Sequence, residues 1–214
     1  MIVPEIFRVS NLFSLFRVAI IPVLWHFLSQ PDKNSPYIAL AILILAGITD
    51  GLDGYFARKL NQISPMGMIL DPLCDKILAG ALVLMLILYR DFPIWLAALI
   101  IGRDLIILTA AALLLRRKKV VVPSNITGKY AFFFIVVLLA CSVIRFDYGI
   151  WLTTCITTGL IILSIVMYVR EFGRFKKGEN PAPFLDRPIY RIIRLGLTVA
   201  VLLVLLLKLY LSVV

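Results

Sequence analysis

Seven apolar stretches follow one another along this 214-residue chain, at roughly 12–29, 37–60, 66–89, 93–115, 126–144, 150–170 and 195–214. Each is close to the roughly 20 residues an α-helix needs to cross the hydrocarbon core of a bilayer. In that medium the backbone must satisfy its own hydrogen bonds, which favours helices. The chain is 62% hydrophobic and 16% charged, with a mean hydropathy of +1.01. That composition belongs to the polytopic membrane class. The expected fold is all-α: a single helical membrane domain over 1–214, with six core transmembrane helices in 12–170. Residues 1–10 read as a short amphipathic helix at the interface. They contain Pro4, Glu5 and Arg8 and do not read as a cleavable signal peptide. Residues 171–194 form a basic, Pro-containing segment. The stretch 195–214 is long enough to span as an added helix, though Lys208 interrupts it. It could equally lie on the membrane surface or pack against another subunit.

The loops carry the charge, and the charge is one-sided. With the N-terminus in the cytoplasm, 16 of the 22 Lys and Arg residues fall on cytoplasmic segments, including Arg8, Arg17, Arg58, Lys59, residues 116–119 and Lys129. The opposite side holds Lys33, Arg90, Arg145 and Lys208, while Lys76 and Arg103 lie inside spans. This bias sets orientation, so the net charge of +10 needs no nucleic-acid partner. Cys74, Cys141 and Cys155 fall in or near apolar helices. As three buried thiols they offer neither a disulfide framework nor zinc spacing.

Against this background, Asp50, Asp53, Asp71 and Asp75 stand out: four carboxylates within 26 residues. Each costs about 2.5–3.5 kcal/mol at the centre of a membrane helix on insertion scales. Asp50 and Asp53 are spaced i,i+3, and Asp71 and Asp75 i,i+4, so each pair shares a helix face. The break at 61–65 suits a turn between antiparallel helices, which lets the two pairs converge. Converging carboxylates repel unless a cation lies among them, and hard oxygen donors favour Mg2+, Mn2+ or Ca2+. Gly54 and Gly67 leave room on the same faces. The bland alternative is helix–helix pairing of the four Asp with Lys76, Arg58 and Arg103. It does not account for the glycines or for Ala57-Arg58.

The pattern D-x2-D-G-x2-A-R-x8-G-x3-D-x3-D, from Asp50 to Asp75, resembles the signature of the CDP-alcohol phosphotransferases at every position. The resemblance implies a CDP-linked donor, usually CDP-diacylglycerol, that gives its phosphatidyl group to an alcohol and releases CMP. It implies that Asp50, Asp53, Asp71 and Asp75 bind one or two divalent ions, Mg2+ or Mn2+, and that Asp75 is the general base. Asp50, Gly54, Ala57, Arg58, Gly67 and Asp71 would meet the donor nucleotide. Gly54, Ala57 and Gly67 would wall the cytidine pocket and Arg58 would meet the phosphates. A homodimer is also implied. The only histidine, His26, lies far along the first span and is not placed to serve as the base.

Two further places suit acceptor chemistry. Arg103-Asp104 sits within the fourth span, and Gly128-Lys129 opens the fifth. An ionisable residue inside the membrane is a functional hypothesis by default. Similar pairs occur in the phosphatidylglycerophosphate synthases and eukaryotic-type cardiolipin synthases of the family, so Arg103 and Lys129 could bind an acceptor phosphate. For Arg103 the alternative is a structural ion pair, and for Lys129 a flanking charge. Glycerol 3-phosphate is the favoured acceptor, followed by phosphatidylglycerol and then an inositol phosphate; transfer of a polar head to diacylglycerol stays open. The expected site is a bacterial inner membrane, with the chemistry facing the cytoplasm. From other classes, a cation-site transporter would need polar residues continuing across the bilayer, but the third span is nearly all apolar after Asp75. A non-catalytic assembly protein would tolerate Asp75→Asn.

Overall fold

The computed structural model describes residues 15–59, 67–118, 126–176 and 188–213, with the side chains of 50–59, 67–72 and 110–118 among those outside the description. Every regular element among the described residues is helical: α1 (Ile21–Ser29), α2 (Ser35–Lys59), α3 (Gly67–Tyr89), α4 (Ile94–Lys118), α5 (Ile126–Val143), α6 (Asp147–Lys176) and α7 (Pro188–Val213). The all-α expectation holds. Among the described residues, two segments are long and apolar enough to cross a membrane, Ile126–Val143 and Asp147–Arg170. The apolar portions Leu15–Ser29, Ser35–Thr49 and Leu195–Leu207 are shorter. The expected interfacial helix at 1–10 lies outside the described residues.

The chain forms two compact units. The first comprises Met1–Phe92 with Ser142–Arg145. Here α1 continues a helical run at 15–19 across Ile20, whose N–H donates to the Phe16 carbonyl while its own carbonyl accepts from Leu24. α1 packs against both α2 and α3, enclosing Leu24, Leu28, Leu40, Met85 and Leu86. Trp25 meets Tyr89 edge to face at 5.6 Å. Asn34 starts α2: its carbonyl accepts from the N–H groups of Tyr37 and Ile38. Pro36, which has no N–H to donate, sits in the first turn, where no helical acceptor is available anyway.

α3 ends where Asp91 adopts the left-handed conformation, with φ 55°. That turn sends the Phe92 N–H back to the Leu86 carbonyl at 3.2 Å. Arg145 donates to the Tyr89 carbonyl at 3.3 Å and lies 3.6 Å from the Asp91 carboxylate. Burial, and then the nearby Arg145 guanidinium, hold Arg90 below the usual arginine range.

The second unit comprises Pro93–Cys141 and Phe146–Val214. α4 packs on α6, and Leu96, Leu138, Thr157 and Ile161 are fully enclosed. At the start of α6, a Cβ on Gly149 would lie 2.4 Å from the Phe146 ring and 2.9 Å from Cys141 Sγ, so only glycine fits. α6 begins earlier and ends later than the predicted span 150–170, running to Lys176. α7 begins at Pro188, so it takes in the end of the predicted basic segment before its apolar stretch. The outward apolar surface is large: Leu45 is 61% exposed, Trp151 64% and Leu203 61%. Patches of this extent suit contact with lipid chains rather than water. This is a membrane-associated helical protein.

One expectation is corrected. Cys74 and Cys141 are buried, but Cys155 is exposed. It lies on α6 between Thr153 and Thr157, which face inward, so its own side chain points away from the packed face.

Candidate active site

In the first unit the signature is split between two helices. Asp50, Asp53, Gly54, Ala57 and Arg58 lie on α2; Gly67, Asp71 and Asp75 lie on α3. The backbone is helical through both segments, so the i,i+3 and i,i+4 pairings expected from the spacing are kept. The side chains of Asp50, Asp53, Gly54, Ala57, Arg58, Gly67 and Asp71 lie outside the described residues.

Asp75 is described, and it has a partner that sequence reasoning counted only as a cytoplasmic charge. Arg17, just before α1, donates from Nη1 to Asp75 Oδ1. The Arg17 side chain is 4% exposed and that of Asp75 42%. The guanidinium is thus embedded while the carboxylate keeps an open side. A buried arginine next to a signature carboxylate offsets its charge and fixes its direction. Asp75's open side leaves it able to reach a ligand. The signal in the sequence was an arginine inside an apolar run, which is a functional hypothesis by default.

In the second unit Arg103 is enclosed, at 7% exposure. Its Nη1 donates to Asp104 Oδ1 at 2.8 Å, and its Nη2 donates to the Gly128 carbonyl at 3.1 Å. The latter bond links α4 to α5. Its Nε is buried without a hydrogen-bond partner among the described residues. The Arg103-Asp104 contact is the structural ion pair given above as the alternative to acceptor binding, and it leaves the Nε nitrogen without a partner among the described residues. Lys129 follows Gly128 on α5 and is half-buried. Thr127 donates to Met167 Sδ at 3.4 Å, tying α5 to α6.

His26 sits near the end of α1 with Nε2 2.8 Å from Gln30 Nε2. It is exposed and takes no part in either constellation. Phe132, expected to be lipid contact or core, is 54% exposed.

A family model described as CDP-alcohol phosphatidyltransferase matches residues 7–169. This chain belongs to the CDP-alcohol phosphatidyltransferase family. The match takes in α1 to α5, most of α6 and the whole signature. Among curated relatives, the chain is 36% identical over 110 residues to a Bacillus subtilis protein named CDP-diacylglycerol–glycerol-3-phosphate 3-phosphatidyltransferase, covering 46% of this chain and 57% of that one. It is 41% identical over 101 residues to human cardiolipin synthase (CMP-forming), covering 47% of this chain and 33% of that one. A Streptomyces coelicolor cardiolipin synthase (CMP-forming) is 30% identical over 132 residues, covering 60% of this chain and 61% of that one. The matched region thus spans about a third to three fifths of the length of these relatives. The two named activities are represented about equally.

The family carries an expectation of a divalent metal, and the donor set of the signature suits one: four carboxylates, all hard oxygen ligands. Among the described residues, no group of three or more His, Cys, Asp or Glu is placed to hold an ion; three of the four signature carboxylates lie outside the described side chains.

Proposed function

We propose that this protein transfers a phosphatidyl group from CDP-diacylglycerol to an alcohol and releases CMP. The observation that carries this reading is the complete signature from Asp50 to Asp75, divided between two helices that both pack on α1. Asp50, Asp53, Asp71 and Asp75 are assigned to one or two Mg2+ or Mn2+ ions. When bound, such ions offset the carboxylate charge and stabilise charge developing on the transferring phosphoryl oxygens. Gly54, Ala57 and Gly67 wall the cytidine pocket, and Arg58 meets the donor phosphates.

Asp75 takes the proton from the acceptor hydroxyl, and Arg17 holds its carboxylate in place. The acceptor oxygen then attacks the phosphatidyl phosphorus. The bond from that phosphorus to the bridging oxygen breaks, and CMP leaves. Such a base typically contributes about 10²–10⁴-fold.

Arg103 and Lys129 are assigned to the phosphate of the acceptor. A buried guanidinium with a spare donor suits a phosphate oxygen, which favours glycerol 3-phosphate and a phosphatidylglycerophosphate product. Cardiolipin synthesis, with phosphatidylglycerol as acceptor, is the second reading, supported by the 41% identity to the human enzyme. Inositol phosphate as acceptor is third. The same reading includes six core spans, an interfacial helix at 1–10, a homodimer, and a bacterial inner membrane with the active site facing the cytoplasm. The one-sided distribution of Lys and Arg supports the orientation, and the family resemblance is what suggests the homodimer.

The test is CMP release by the purified full chain with CDP-diacylglycerol and Mg2+, varying the acceptor. Release with glycerol 3-phosphate alone is the expected result. Release with phosphatidylglycerol alone would move the assignment to cardiolipin synthesis. No release with any acceptor would overturn the transferase reading.

A further inference from the structure

Two arginines meet where α3 ends, and one carboxylate serves both. Arg90 follows α3 directly, and Arg145 lies in the turn after α5; both belong to the first unit. Each turn is fixed by a left-handed residue: Asp91 has φ 55° and Arg145 itself φ 52°. The Arg145 N–H donates to the Ser142 carbonyl at 3.3 Å. Its Nη2 joins the two turns, donating to the Tyr89 carbonyl at 3.3 Å and lying 3.6 Å from Asp91 Oδ2.

Helix capping accounts for Arg145 but not for Arg90. The Arg145 bond satisfies a carbonyl in the last turn of α3, where the helix dipole also favours a cation. Arg90 Nε and Nη2 are buried with no hydrogen-bond partner among the described residues. The charge that acts on Arg90 is the like charge of Arg145. Asp91, with a side chain 97% exposed, is too well solvated to offset both, since exposed pairs contribute little. Two guanidiniums against one carboxylate leave a net positive charge. Like charges held side by side repel, and an anion that joins them removes that cost.

The depth of the cluster says which anion. The apolar run of α3 ends at Tyr89, whose ring meets that of Trp25 edge to face. Trp and Tyr gather at the level of lipid headgroups. The Arg145 side chain is 57% exposed there, and a guanidinium has further donors beyond the one given to Tyr89. We propose that Arg145 and Arg90 bind the phosphate of an anionic membrane lipid. Arg145 donates to its oxygens, and Arg90 adds charge from its covered position. Asp75 lies 15 residues earlier in the chain, roughly 22 Å along α3, so this lipid is held apart from the carboxylate signature.

The experiment titrates dioleoyl phosphatidylserine, which none of the proposed reactions uses, into the delipidated full chain in detergent. Native mass spectrometry reads the apparent Kd, and dioleoyl phosphatidylcholine is the zwitterionic arm. Asp91→Asn is the decisive variant. Asn tolerates a left-handed backbone as Asp does. Removing the one negative charge should tighten phosphatidylserine binding about 5-fold, the scale of one charge at an anionic lipid surface. A misfolded protein would not bind more tightly. Arg145→Gln and Arg90→Gln should each weaken it about 5-fold. Lys33→Gln, which removes an exposed cation outside the cluster, should not. Phosphatidylcholine binding should change little in any variant, because its headgroup has no net charge.

Unchanged or weaker phosphatidylserine binding by Asp91→Asn would overturn the proposal. So would unchanged binding by either arginine variant, an equal loss in Lys33→Gln, or parallel shifts with phosphatidylcholine. Displacement of the lipid by millimolar inorganic phosphate at matched ionic strength would make this a site for free phosphate and overturn the lipid assignment. Lipid binding is read without turnover, so its failure would leave the transferase reading untouched.

Discussion

Each compact unit holds a buried arginine next to an aspartate, and the two arginines are used differently. Arg17 reaches across the first unit to Asp75, 58 residues away in sequence, and joins the helical run before α1 to α3. Arg103 pairs with its immediate neighbour Asp104, and its other bond goes to a backbone carbonyl on α5. The first arginine serves the signature: it neutralises and orients a carboxylate that keeps an open side. The second is held by a neighbouring carboxylate and a backbone carbonyl, and its Nε has no hydrogen-bond partner among the described residues. A charged group inside a membrane protein is thus informative chiefly through what it leaves unsatisfied.

That contrast can be broken by substitution. The largest effect is expected at Asp75. Asp75→Asn removes the proposed base while keeping the shape, and CMP release should fall by about 10²–10⁴-fold with thermal unfolding little changed. Near-normal release would separate Asp75 from the chemistry. Arg103→Ala comes next, with the acceptor KM rising about 10–100-fold, the range for losing a hydrogen bond to a charged partner. An increase confined to the donor KM would reverse the roles of the two arginines.

Arg17→Ala should act on stability as well as on rate. Breaking a buried pair costs about 3–5 kcal/mol, and because Asp75 remains partly solvated the expected loss is about 1–3 kcal/mol. It would be read as a lower unfolding temperature in detergent. No change in stability would mean that the pair does not tie the first unit together.

The smallest effects separate packing from function within the second unit. Gly149→Ala forces a methyl into the Phe146 ring and should cost about 1–3 kcal/mol. Gly159, on the same helix, has nothing within 4 Å of a built Cβ. Gly159→Ala should change stability by no more than about 1 kcal/mol, in the stabilising direction. Neither should alter the acceptor KM. A shift in that constant with Gly149→Ala would mean that acceptor binding responds to packing at the start of α6.

Much of this was legible in the sequence because membrane helices are written plainly. Length and apolarity located the helices to within a few residues for α2, α3 and α5. The ends of α6 and α7 were harder, because polar and basic residues such as Asp147, Arg174 and Arg191 are readily accommodated in helices that extend beyond their apolar runs. The signature carboxylates were legible because their spacing is a local property of two helices. Arg17 was visible as a charge but not as the partner of Asp75, since that contact joins segments far apart in sequence. Ser164 gave no signal: a serine in an apolar helix is common, and only the fold shows that its buried hydroxyl has no partner among the described residues. Cys155 was misjudged for a similar reason, because an apolar helix in a membrane protein exposes residues as apolar as those it buries.

The proposed function requires the carboxylate signature to activate a CDP-linked donor with the help of divalent ions. Its most direct test is CMP release from CDP-diacylglycerol by the purified full chain in glycerol 3-phosphate, first with a chelator and then across a Mg2+ titration. The predicted result is no release without the ion and saturable release once Mg2+ is restored. Release that persists undiminished in chelator would contradict the assignment of Asp50, Asp53, Asp71 and Asp75.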